Sequence, residues 1–308
     1  MNTIIIGHGN GLGASSLQVG ISSINEQEML RIARDSLEKT KLGVYMIPGF
    51  GTIKDNIIPA IDCGVDIFVI GSHATEADTT KQHIQFLVAE DKEVYGVLMM
   101  YHMASSEKIL EECQKMQDYG ANGVILMDSA GASTPELVKK TISTLYEGLN
   151  IKIGFHAHNN LGLAVSNSYI AIQEGASIID GTLRGFGAGA GNCQLEALVA
   201  LLEKNGIKTS ANLYNMLDAS EVVMPQIMDK EMGIDPISIV SGMSGVFSAF
   251  KVPVLKAAKK FRVDPKDILV ELGNMKVVGG QEDMIIEVAE KLANARVSNI
   301  DYYLESLL

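Results

Sequence analysis

Residues 151–176 read IKIGFHAHNNLGLAVSNSYIAIQEGA, an apolar run, a polar break, then apolar residues at helical spacing. IKIGFHAH has the near-continuous apolar character of a strand buried on both faces. LAVSNSYIAIQEGA carries its apolar residues at i, i+3 and i+4. One such step is a βα unit of a parallel sheet. The step recurs on either side. TIIIG (3–7) precedes EQEMLRIARDSLEK (26–39), KLGVYMIPG (41–49) precedes TIKDNIIPAIDCG, and VDIFVIGS (65–72) precedes EADTTKQHIQFLVAE. EVYGVLMM (93–100) leads to SSEKILEECQKMQDYG, and ANGVILMDS (121–129) to TPELVKKTISTLYEGL. Beyond the opening stretch, SIIDGTLRG (177–185) leads to CQLEALVALLEKNG (193–206). Seven steps are too many for most open sheets and suit an α/β fold of the TIM (β/α)8 type. Seven is one strand–helix unit short of eight, so two unpaired strand edges are expected unless a strand is supplied from elsewhere.

After Gly206 the texture changes. ANLYNMLDASEVVMPQIM, FSAFKVPVLKAAKKF, DPKDILVELGNM and EDMIIEVAEKLANARV are helical, with no strands between them. The expected division is a barrel domain at 1–207 and a helical C-terminal domain at 208–308. The Met- and Val-rich stretches of the latter serve as core or face a partner subunit, and an oligomer is expected.

Composition narrows the class. The 308 residues are 47% apolar and 20% charged, with a formal net charge of −12 and a pI near 5.0. An acidic chain without a basic patch argues against nucleic acid or an anionic membrane as partner. No apolar run is long enough to cross a bilayer, and MNTIIIGHGNG lacks the basic start of a signal peptide. Cys63, Cys113 and Cys193 are odd in number and widely spaced, as expected of reduced thiols in a cytoplasm.

The chemistry-bearing residues fall at strand ends, where barrels of this type place their function. They are His8, His73, His102, Asp128, Ser129, His156, His158 and Arg184. His156 and His158 are two apart on a strand. Their side chains therefore share a face and start roughly 6.6 Å apart, within reach of one metal ion. Such an ion ordinarily wants a carboxylate as well. GFGAGAGN (185–192) reads equally as a tight turn or as an anion-binding loop, and Asn192 at its end can point back toward the metal. GHGNGLGA (7–14) fits the glycine spacing of a dinucleotide-binding loop. SSLQVGISSIN after it lacks helical period, so a nicotinamide-dependent oxidoreductase is the lesser alternative.

Together, GHGNGLGASSLQVG, HATEAD, GVLMMYHM, MDSAGA, HAHNNLGLAVSNS, GAGAGN, DILVELG and VVGGQEDMI resemble the 4-hydroxy-2-oxovalerate aldolases. That family stands beside hydroxymethylglutaryl-CoA lyase and isopropylmalate synthase among metal-dependent TIM-barrel enzymes. The resemblance implies a class II pyruvate aldolase, in which a divalent metal, commonly Mn²⁺, stabilises the enolate formed on cleavage to pyruvate and acetaldehyde. It makes His156 and His158 metal ligands, with Asn192 approaching the metal. It places Asp128 and Ser129 near the pyruvate moiety, Ser129 as a carboxylate contact. It also implies an acylating acetaldehyde dehydrogenase as partner, docked on the helical domain. Two departures stand out. The family's TLRDG-type first-strand motif, which carries a ligand aspartate and a catalytic arginine followed by a histidine base, is absent here. Arg184 in GTLRG belongs to the last strand and does not inherit the arginine's role, so the catalytic residues are unknown. Met243 and Phe247 stand where relatives tend to carry tyrosines. The alternative implied is an impaired, N-terminally truncated member acting as a binding or scaffold subunit.

Overall fold

The computed structural model describes residues 2–17, 19–229 and 231–305. Gln18 in the first glycine-rich segment, Met1, Lys230 and the last three residues of the helical region lie outside them. The alternating pattern becomes β1 (Thr3–Ile5), α1 (Glu26–Ser36), β2 (Lys41–Met46), α2 (Ile58–Asp62), β3 (Ile67–His73), α3 (Lys81–Ala89) and β4 (Glu93–Met99). It continues with α4 (Ser106–Asp118), β5 (Gly123–Asp128), α5 (Pro135–Gly148), β6 (Lys152–Ala157), α6 (Ala164–Gln173), β7 (Ile178–Asp180) and α7 (Leu195–Lys204). Local chemistry sets the helix starts. Asn25 accepts the N–H groups of Gln27 and Glu28 at the head of α1, and Ser105 and Thr134 cap α4 and α5, the latter with Pro135 in its first turn.

The seven strands form one parallel sheet in sequence order, each paired with its neighbour. Alternate residues go to two layers. Leu42, Val44, Phe68, Ile70, Leu126 and Phe155 pack against the helices. Ile67, Val69, Tyr95, Val97, Met99 and Ile125 fill the concave interior, with Tyr45, Met127 and Ile178 against them. Each such side chain fully removed from water contributes about 1.5–3 kcal/mol. The sheet is curled: Asp180 on β7 is near enough to Tyr45 on β2 to help burial push that phenol's pKa up. Among the described residues β1 and β7 do not pair with each other. Both edges are thinly covered, with Ile5 39% exposed and every residue of β7 half-buried. The fold is a TIM-barrel-like α/β domain, a seven-strand parallel half-barrel.

Six further helices follow α7 among the described residues, and they divide in two. Helices α8 (Leu213–Val222) and α9 (Met224–Ile227) lead away from α7, on which α8 packs. Helices α10 (Pro236–Met243), α11 (Lys251–Phe261), α12 (Pro265–Asn274) and α13 (Asp283–Glu305) surround a second core around Phe250, Val254, Ile268, Leu272 and Ile285. Polar bonds join this core to the strand ends of the barrel. The Nε2 groups of His73 and His102 donate to the carbonyls of Gly279 (3.0 Å) and Gly245 (3.3 Å), and the Ser248 N–H donates to the Ser129 carbonyl at 2.9 Å. Phe247 packs against both the helical core and the barrel interior.

One expectation changes. The strand expected over 177–185 stops at Asp180, because the Thr182 backbone bonds to the returning loop instead, its N–H donating to the Cys193 carbonyl at 3.0 Å and its carbonyl accepting the Leu195 N–H at 3.0 Å. As the missing helical period implied, no helix among the described residues follows GHGNGLGA directly: α1 begins only at Glu26, and its first N–H groups are taken by Asn25. The glycines serve close packing instead. Gly11 has φ +86°, a Cβ there would fall 2.5 Å from the Tyr45 carbonyl oxygen, and the Leu12 N–H donates to that oxygen at 2.8 Å. The dinucleotide reading thus lacks the helix end that would hold a pyrophosphate.

Candidate metal centre

Strand alternation decides which way the histidines face. Phe155 and Ala157 are fully buried under the helices, so His156 and His158 turn toward the barrel interior at the end of β6. Their ring centroids are 5.2 Å apart, with the planes tilted by 60°. The His158 Nδ1 donates to the Ala188 carbonyl at 3.4 Å, which fixes the proton on that nitrogen and leaves Nε2 with a free lone pair. Burial first, and the neighbouring His156 second, hold its pKa down to about 3. A neutral imidazole with one lone pair free is the form a divalent metal takes.

The loop between β7 and α7 brings Asn192 to the same place. It folds back along the end of β6: the Cys193 N–H donates to the Ala157 carbonyl at 2.9 Å, and the Asn159 N–H to the Gly191 carbonyl at 2.8 Å. Asn192 and His158 thereby form an isolated antiparallel bridge. The Asn192 Nδ2 donates to the Phe186 carbonyl at 2.9 Å, while its Oδ1 is buried with no hydrogen-bond partner. A buried amide oxygen left unmatched costs about 1–3 kcal/mol, and a cation beside the imidazoles would satisfy it. Among the described residues no third histidine, cysteine or carboxylate completes a three-ligand cluster with the pair.

Asp128 and Ser129, at the end of β5, are buried. The Asp128 carboxylate accepts the N–H groups of Ala132 (3.0 Å) and Ser133 (3.1 Å) and so builds the loop. Desolvation raises its pKa, against the opposing pull of His102. The Ser129 hydroxyl accepts the Met100 N–H at 3.2 Å and donates weakly to the Met127 carbonyl at 3.4 Å. The Arg184 guanidinium pairs with Glu231 at 2.9 Å. Met243 is exposed at the end of α10. Phe247 lines a small cavity of about 40 Å³ with His73, Met99, Met100 and Gly279.

Asn160 went unread beyond its place in HAHNN. It is fully buried and its three bonds tie three loops together. Its Nδ2 donates to the Ala130 carbonyl (2.9 Å) and to the Ser248 hydroxyl (3.0 Å), and its Oδ1 accepts the Ala190 N–H (2.9 Å). The second Asn after a histidine pair is the only signal the sequence offers for it.

The chain matches the HMGL-like family over residues 54–223 and the DmpG-like communication domain over 232–294. It is 51% identical over 296 residues to a 4-hydroxy-2-oxovalerate aldolase of Pectobacterium atrosepticum, covering 96% of this chain and 86% of that one. A 4-hydroxy-2-oxovalerate aldolase of Bacillus thuringiensis is 46% identical over 297 residues, with 96% and 87% covered. This chain belongs to the 4-hydroxy-2-oxovalerate aldolase family, a family of carbon–carbon lyases. Solved structures agree on the fold. The N-terminal domain of a putative aldolase from Bacteroides vulgatus superposes with a TM-score of 0.69 at 22% identity, over 83% of this chain and 85% of that one. The carboxyl transferase domain of Rhizobium etli pyruvate carboxylase gives 0.76 at 14% identity, over 88% and 51%. The communication domain coincides with the second helical core, and the gap between the two matches holds α9.

Proposed function

We propose that the chain is built for metal-dependent cleavage of 4-hydroxy-2-oxovalerate to pyruvate and acetaldehyde, with His156 and His158 as metal ligands and the Asn192 Oδ1 as a further donor. The observation that carries this is the pair of interior-facing imidazoles, one with its tautomer set by Ala188, beside a buried amide oxygen with no partner. Two nitrogens and one neutral oxygen suit a borderline ion, and Mn²⁺ is the metal we assign. When bound, a divalent ion supplies Lewis acidity to the oxygens of a 2-oxo acid.

The chain's own residues do the rest. Ser129, held in place by the Asp128 turn, can give up its weak 3.4 Å bond to Met127 and donate instead to the substrate carboxylate. The apolar interior formed by Val97, Met99 and Ile125 keeps water from the reacting carbons. His73 and His102 each commit the Nε2–H to a carbonyl of the helical domain, which leaves the buried, unpartnered Nδ1 as the basic nitrogen of each ring. The family match to a communication domain supports an aldehyde-consuming dehydrogenase as partner. Three unpaired, buried cysteines fit a cytoplasmic setting, and no helix among the described residues is long and apolar enough to cross a membrane.

The test is release of pyruvate from 4-hydroxy-2-oxovalerate by the purified chain, with and without added Mn²⁺. Chelator-sensitive turnover is expected, abolished in His156→Ala and His158→Ala. A folded protein that binds Mn²⁺ yet releases no pyruvate would instead favour the binding or scaffold subunit.

A further inference from the structure

The mechanism leaves one acid of the barrel interior unused. Asp180 ends β7, and the strand register sets it directly opposite His156 on β6. Ile178 packs into the barrel interior and Ile179 against the helices, so Asp180, two residues after Ile178, faces inward as His156 does. Its Oδ2 lies 3.3 Å from the His156 Nδ1. That nitrogen is buried and has no hydrogen-bond partner as it stands, because the contact falls short of hydrogen-bond geometry. Among the described residues Asp180 pairs with no lysine or arginine.

We propose that Asp180 is a positioning residue for the metal centre, accepting the Nδ1–H of His156 so that Nε2 is the nitrogen offered to the ion. The symmetry with the neighbouring ligand supports this. His158 has its Nδ1 proton anchored by a carbonyl, and His156 has a carboxylate at the matching position. An anchored Nδ1–H fixes both the tautomer and the ring orientation, and a carboxylate acceptor makes the other nitrogen a better donor. When electrons are drawn from Nε2, the Nδ1–H becomes more acidic, and the 3.3 Å contact has reason to tighten into a hydrogen bond. No proton leaves the pair in this scheme; it is shared along one bond.

The inference rests on the metal-centre reading above, so its test reads metal affinity rather than turnover. Mn²⁺ binding would be measured through the paramagnetic resonance signal of the free ion for the full chain, Asp180→Ala and Asp180→Asn. Circular dichroism and metal-free melting would confirm that each is folded. The alanine variant should bind about 10–100-fold more weakly. The asparagine variant should keep most of the affinity, since its amide oxygen still accepts the Nδ1–H. Should the alanine variant not fold, Asp180→Leu supplies a non-accepting side chain of closer volume. Equal affinity in the original chain and the non-accepting variant would overturn the proposal. Equal losses in the asparagine and alanine variants would overturn it too, pointing to direct ligation or bare charge. Failure of the unaltered chain to bind Mn²⁺ would remove both this inference and the metal-centre reading, whereas binding without pyruvate release would leave this one standing.

Discussion

His102 shows how one side chain carries two duties at a domain seam. Its Nε2 donates to the Gly245 carbonyl of the helical region, and burial holds its pKa below the ordinary imidazole value, against an upward pull from Asp128. The unfolded chain takes up this proton near pH 6.5, and the folded chain only at a lower pH. Between the two values the unfolded state binds more protons, so this group's contribution to stability is lost as the pH falls from about 6.5. Denaturant titrations at pH 8, 6.5 and 5 should therefore show a smaller acid loss in His102→Gln than in the unaltered chain. The glutamine amide can still donate to Gly245 but cannot take up a proton.

Asn160 is the other residue whose loss should be large. Replacing it with alanine strips partners from the Ala130 carbonyl, the Ser248 hydroxyl and the Ala190 N–H at once. At about 1–3 kcal/mol for a buried group left unsatisfied, a total loss of about 3 kcal/mol in urea unfolding is expected. A change under 1 kcal/mol would mean that water fills the site without difficulty.

At the scale of elements, the loop between β7 and α7 is the most exacting part of the chain. Gly191 has φ +96°, and a Cβ there would lie 2.1 Å from the Gly185 carbonyl oxygen. Gly191→Ala should cost about 1–3 kcal/mol in backbone strain. It should also weaken Mn²⁺ binding by displacing Asn192, and calorimetry would detect both. The strands were legible because burial on both faces writes itself as unbroken apolar runs such as VDIFVIGS and ANGVILMDS. Facing was legible too: the two-residue spacing of His156 and His158 puts both on one side. Partnership was not. That Asp180 stands opposite His156 follows from the register between two strands, which neither segment contains. Arg184 takes a positive φ of 52° and turns to Glu231, a residue 47 positions away, and no local rule announces that.

At the scale of the molecule, two cores are joined by a seam of histidine, serine and asparagine bonds, with Phe247 as the apolar link. The barrel's own core is uneven. β3, β4 and β5 lie inside the sheet with nearly all residues buried, while β1 and β7 have three residues each and bond on one side only. A sheet of this kind should not open all at once. In deuterated solvent, backbone amides of β1 and β7 should exchange within the first time points and those of β3 to β5 last, so that label advances from the two margins toward the centre. Mass spectrometry of peptic fragments would follow that front. Since Asp180 stands on one of those margins, the side of the site nearest to solvent exchange is the side that holds His156 in place.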